Sequence, residues 1–161
     1  MSHVSALDWN EYLQPTVRGR PTVKAFERRY EVLDPLSSLA REPRLLSLHE
    51  QLDRIASLPD NWDRRHSARP SQAAVENARQ MLEDAYRQTA PAWVWQGPSL
   101  SVSEDGEIVM EWWNGIRKLT IYVGQNQSTY IKSWGPNLVS DMEDGELPEN
   151  WISLHWAWLF E

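Results

Sequence analysis

The chain predicts an α+β fold: N-terminal helices, an antiparallel four-stranded β-meander packed by helices, and a C-terminal helix. Three observations carry this expectation. Apolar residues recur at one-turn spacing up to residue 88, the period switches to two from Pro98 onward, and Asn114-Gly115 sits between two alternating runs, where it is a strong hairpin signal.

In chain order, Trp9, Tyr12 and Leu13 place apolar anchors within one turn before Pro15. Val23, Phe26, Tyr30 and Leu33 predict a short helix over 22–33, stopped before Pro35. Pro43 suits the first turn of a second helix. Its stripe is Leu45, Leu48, Leu52 and Ile55, widened by Leu46 and Ala56, and Pro59 ends it. Residues 59–70 run irregularly. Ser71 is then the expected N-cap of a helix over 72–88 with Val75, Ala78, Leu82 and Ala85 facing the core, closed by Pro91.

Strands are expected over 99–103, 107–113, 116–123 and 128–134. A two-residue Asn114-Gly115 turn sets Glu111 opposite Lys118 and Ile108 opposite Ile121. It puts Ile108, Met110, Leu119 and Ile121 on one face, with Glu111, Lys118, Thr120 and Tyr122 on the other. For the preceding hairpin, a three-residue Glu104-Asp105-Gly106 loop with Gly106 left-handed pairs Val102 with Ile108 and Leu100 with Met110, and this keeps the apolar face intact. The third turn stays open: Gly124–Gln127 and Gly124–Ser128 differ in whether Tyr130 and Trp134, or Ile131, face the core. Residues 140–149 read as an acidic loop. For 151–160, alternation and helical spacing compete. Asn150 as N-cap favours a helix with Trp151, Leu154, Trp158 and Leu159 on one side.

With 161 residues the chain can bury a sizeable core. The expected division is an N-terminal extension over 1–43, docking on a partner or on the domain, and one α+β domain over 44–161. The composition is 41% hydrophobic and 24% charged, with 10 Trp against 2 Phe. That excess means indoles in the core or on display. The absence of cysteine excludes disulfides, thiolate metal sites and a thiol nucleophile. No run approaches a membrane span, which predicts a cytoplasmic protein. Net charge is −7. Residues 1–70 hold 11 Lys+Arg against 10 Asp+Glu, and 71–161 hold 5 against 13, so the second part disfavours phosphate-backbone binding.

The segment Leu58–Pro70, L-P-D-N-W-D-R-R-H-S-A-R-P, with the helix and meander after it, resembles a diffuse family of small uncharacterised bacterial proteins whose segment reads L-x-x-G-W-D-G-Y-G-A-x-x-P. Trp62-Asp63, Ala68 and Pro70 match; Asn61 stands for the first glycine, and Arg64-Arg65-His66-Ser67 for Gly-Tyr-Gly. The resemblance covers about 58–161. It implies the fold and a setting among mobile or antiviral-defence genes, and it implies no activity.

Several residues are candidates for function. Trp62 and Asp63 serve either a recognition site or the anchoring of their own loop, with Trp62 inserted between helices and sheet; anchoring is the expectation. Arg64, Arg65 and His66 form a candidate anion contact. His3, His49, His66 and His155 show no metal-ligand spacing, and His49 and His155 read as boundary residues. There is no nucleophile elbow, S-x-x-K, P-loop or dinucleotide motif, so no catalytic residue, metal or cofactor is assigned. Arg18-Gly19-Arg20-Pro21 matches the centre of an AT-hook, which makes Arg18, Arg20, Lys24, Arg28 and Arg29 candidates for DNA contact.

Aromatic anchors Trp9, Tyr12, Phe26 and Tyr30 in the extension, and Trp113, Tyr122 and Trp134 on the sheet, are candidates for binding a protein partner. The leading expectation is a non-catalytic interaction or accessory protein that binds a protein partner, such as a regulatory subunit of a bacterial defence or mobile-element system. Its alternatives are a nucleic-acid binder, and a small-ligand binder or enzyme around Trp62, Asp63 and His66.

Overall fold

Hydrophobic periodicity places the first of the described helices. In a computed structural model, which describes residues 43–90 and 95–161, α1 spans Pro43–Ala56 and buries Leu45, Leu48 and Leu52. Leu46 is 43% exposed and Ala56 is exposed, so neither widens the stripe. Helix α2 spans Gln72–Thr89. Ser71 caps it as expected, its hydroxyl accepting from Ala74 N at 3.0 Å. The expected helix over 22–33, the anchors Trp9, Tyr12, Phe26 and Tyr30, the basic residues Arg18, Arg20, Lys24, Arg28 and Arg29, and the stop at Pro91 lie outside the described residues.

The sheet is a meander of five antiparallel strands in the order β1-β2-β3-β4-β5: Ser99–Val102, Ile108–Asn114, Arg117–Val123, Ser128–Ser133 and Met142–Glu146. The first hairpin has the expected register, Val102 opposite Ile108 and Leu100 opposite Met110, with Gly106 at φ +79°. The second differs. Asn114 pairs with Arg117, so the turn residues are Gly115 and Ile116, with Gly115 at φ +60°. This slides the ladder by two residues and leaves every side chain on its expected face. The slide sets Trp112 opposite Leu119 and Val123 opposite Ile108, adding both residues to the core. The Glu111–Lys118 ion pair survives as a diagonal contact.

The third turn is the shorter alternative, with Val123 opposite Ser128. Tyr130 and Lys132 therefore share the inner face with Ile121 and Leu119, and Ile131 lies on the outer face. Strand β5 corrects the expected acidic loop. Its inner-face positions are Gly145, opposite Tyr130, and Glu143, opposite Lys132. No apolar alternation marks it, because an aromatic ring and an ammonium on the neighbouring strand hold it in place.

Residues 151–160 are helical as expected, but Ile152–Trp156 form a π turn in which Ala157 N donates to Ile152 O, and α3 follows over Ala157–Phe160. The widened turn keeps residues four apart on one side. Trp151, Ile152, His155, Trp156 and Leu159 are buried, and Leu154 is 51% exposed. Asn150 caps through its carbonyl, which accepts from Leu154 N, and not through its side chain.

The core lies between the helices and the inner sheet face, with Leu52, Leu82, Ile108, Met110, Leu119, Ile121 and Leu159 fully buried. Asn114 Nδ2 and Arg117 donate to the carbonyls of Leu159 and Trp158, fastening the C-terminal helix to the second hairpin. No described helix is long and apolar enough to cross a membrane.

Candidate functional site

The connection between α1 and α2 is tied by its own side chains. Asp63 Oδ1 accepts from Arg65 N (2.9 Å) and Ser67 N (3.3 Å), and its Oδ2 accepts from the Ser67 hydroxyl (2.7 Å). These bonds, the Ser67 hydroxyl foremost, hold the Asp63 carboxyl below its ordinary range. Asn61 Oδ1 accepts from His66 N at 2.7 Å. Asp63 thus anchors its own loop, as expected. Trp62 does so differently from expectation: it is half-buried outside the core cluster, and its Nε1 donates to Ala68 O at 3.3 Å across the loop. An indole that closes a ring of backbone has no need to insert between helices and sheet.

Arg64, Arg65 and His66 are exposed at the tip. Asn61, Arg64 and His66 adopt φ of 58°, 62° and 71°, a region that non-glycine residues enter at a cost of about 1–2 kcal/mol. Beside this loop a groove of about 1050 Å³ runs from the end of α1 to the start of α2, lined by Pro59, Asp60, Arg69, Val75 and Arg79 among others, and not by Trp62, Asp63 or His66. Its charges neutralise one another: Arg79 pairs with Asp53 (2.7 Å) and Glu76 (3.8 Å), and Arg69 with Asp60 (4.0 Å). No group of three metal-ligating side chains exists among the described residues.

A second cluster lies under the C-terminal helix and includes residues the sequence did not single out. Lys132, 8% exposed, meets Glu143 at 3.0 Å. Tyr130 donates its hydroxyl to the same carboxylate at 2.6 Å, and His155 stacks on the Tyr130 ring at 3.9 Å. The carboxylate bond, then burial, push the Tyr130 phenol up to about 12. Glu143 is held below its usual range by the Tyr130 hydroxyl and Lys132. Burial and then Lys132 lower the His155 pKa, with Glu143 opposing. His155 is buried and not a boundary residue. Sequence parity alone left the face of Tyr130 undecided, and nothing in 140–149 advertised Glu143 as its partner.

The outer face of the sheet carries a third group of candidate residues. Cross-strand pairing puts Val109, Trp113, Tyr122 and Ile131 there, with Glu111, Lys118 and Thr120 between them. Val109 is 6% exposed yet stands apart from the core cluster, whereas the helices contribute to that cluster on the inner face. Trp113 is 48% exposed with Lys118 Nζ 5.2 Å from its ring centroid, and Tyr122 is half-buried. Glu111, Asp144 and Glu146 share this face with Lys118, and Glu111 pairs with it. Trp134 does not join them: it packs edge-on against Trp158 at 5.9 Å, because the shorter third turn directs it toward the C-terminal helix.

The chain matches no family model, no curated protein and no solved structure.

Proposed function

We propose that this is a non-catalytic interaction protein that binds a protein partner through the outer face of its sheet, as an accessory or regulatory subunit in a bacterial defence or mobile-element system. The observation that carries the reading is the row Val109, Trp113, Tyr122 and Ile131, spread over three strands on the face away from the described helices. An exposed Trp113 beside a half-buried Tyr122, flanked by charges, suits a binding surface with an apolar centre and a polar rim. The rim is acidic, so the complementary partner surface is basic.

The proposed kinship of the elbow has support in the backbone. Read without a gap from Leu58 to Pro70, the three glycines of the resembled pattern fall at 61, 64 and 66, the positions of the three non-glycine residues of positive φ among the described residues. Ser67, buried, then stands at the alanine, in place of the expected Ala68.

The test is affinity capture from the native host followed by mass spectrometry, with Trp113→Ala beside the wild type. The expected result is a basic partner that the wild type retains and Trp113→Ala loses at least tenfold, with the far-UV circular dichroism unchanged. Equal recovery by both proteins overturns the assignment of this face.

A further inference from the structure

The two edges of the sheet are built differently. Strand β5 carries Glu143, Asp144 and Glu146, and charge of this kind blunts an edge against other strands. Strand β1, Ser99-Leu100-Ser101-Val102, carries no charge, and among the described residues it pairs with β2 alone. Ser99 and Ser101 are exposed, and Leu100 and Val102 are half-buried.

The direction of its free backbone groups follows from one bond. Ser103 N donates to Glu107 O at 3.0 Å, which makes Ser103 and Glu107 a hydrogen-bonded pair. Alternation along an antiparallel ladder then turns the peptide groups of Ser101 and Ser99 toward β2 and those of Leu100 and Val102 outward.

We propose that β1 pairs antiparallel with β1 of a second copy about a two-fold axis at Ser101, joining the two sheets into one. Continuity of the faces requires odd residues to meet odd and even to meet even. An axis at Leu100 sets Val102 against Pro98, which has no N–H to give. An axis at Val102 sets Leu100 against Glu104, beyond the strand. An axis at Ser101 sets Leu100 against Val102 of the second copy and Val102 against its Leu100. Each such pair exchanges two backbone bonds, so every outward N–H and C=O of Leu100 and Val102 finds a partner. The aliphatic side chains meet on the core side, Ser101 meets its own copy on the outer side, Ser99 meets Ser103, and no like charges oppose. The contact is smaller than the roughly 1,600 Å² of a standard interface, so the dimer is weak and depends on concentration.

The chain has no cysteine, so one introduced thiol is a clean reporter. Opposed residues of a non-hydrogen-bonded antiparallel pair have Cα atoms about 4.5 Å apart, within disulfide reach. Ser101→Cys is expected to give a covalent dimer on a non-reducing gel after mild oxidation. Ser99→Cys is expected to stay monomeric, because the register holds its two copies about 13 Å apart. In sedimentation at rising concentration the wild type is expected to dimerise, and Ser101→Lys, which opposes two ammonium groups on the solvent side, to shift to monomer. Equal cross-linking of the two cysteine variants overturns the register. Wild type and Ser101→Lys that both remain monomeric at every concentration overturn the dimer.

Discussion

The elbow holds three residues in a region of backbone space that most side chains avoid. Its path needs three left-handed positions, and here Asn61, Arg64 and His66 supply them. Asn tolerates this region and uses its Oδ1 on His66 N, which offsets part of the cost. Arg64 has no such side-chain role in the loop; its backbone N donates to Asn61 O, a bond any residue keeps. Arg64→Gly is therefore expected to stabilise the protein by about 0.5–1 kcal/mol, the relief of strain exceeding the entropy glycine adds to the unfolded chain. Asn61→Gly is expected to gain nothing, because the bond to His66 N is lost with the strain. Urea unfolding of both variants checks the pair, and equal gains refute the role given to Asn61. A sequence reader sees the cationic run and not the three dihedral angles behind it. Asp63, by contrast, was legible as a turn anchor because a carboxylate two residues before a backbone N–H is a local arrangement.

At the scale of elements, β5 and the C-terminal helix depend on one cluster. Gly145 lets the Tyr130 ring lie against β5, since a Cβ there would stand 3.3 Å from the ring carbon Cε1. That ring carries His155, whose Nδ1 has no hydrogen-bond partner. An imidazolium at this position would need an acceptor for Nδ1–H and would face Lys132, so folding favours the neutral form. The folded pKa lies below the ordinary value of about 6.5. The unfolded chain then binds the proton first, and the stability held above that pH is lost as pH falls below it. His49, lowered chiefly by burial and then by Arg79, adds to the same window. Urea midpoints measured from pH 8 to pH 5 are expected to drop for the wild type and to drop less for His155→Phe, which keeps the stacked ring and cannot ionise. An unchanged slope in His155→Phe contradicts this account. The first hairpin and helices α1 and α2 were legible because alternation, a left-handed glycine and a serine cap are local signals. Strand β5 was not, because what holds an acidic strand here is Tyr130 and Lys132 on its neighbour. The π turn was not legible for a similar reason: the burial of His155 and Trp156 depends on the sheet beneath them.

Over the described chain as a whole, a helical layer covers the inner sheet face, and the C-terminal helix supplies its own part of that cover. Trp151 packs on Trp112 with ring centroids 5.8 Å apart, and Trp156, Ile152 and Leu159 belong to the same core cluster. Each large apolar side chain so buried contributes about 1.5–3 kcal/mol. Four of them together reach roughly 6–12 kcal/mol by the same measure, against a total of about 5–15 kcal/mol for a typical domain. The helix also supplies the carbonyls that accept from Asn114 and Arg117, and its removal would leave Lys132 without the Trp158 ring 5.2 Å away. A chain ending at Asn150 is therefore expected to lose cooperative folding altogether, and not to persist as a sheet with a frayed end. Differential scanning calorimetry of residues 1–150 is expected to show no heat-absorption peak, with a dye for exposed apolar surface binding at 20 °C. A sharp transition within a few degrees of the full-length protein would mean that α1, α2 and the meander form a self-sufficient core, and that the four buried side chains contribute far less than their area implies.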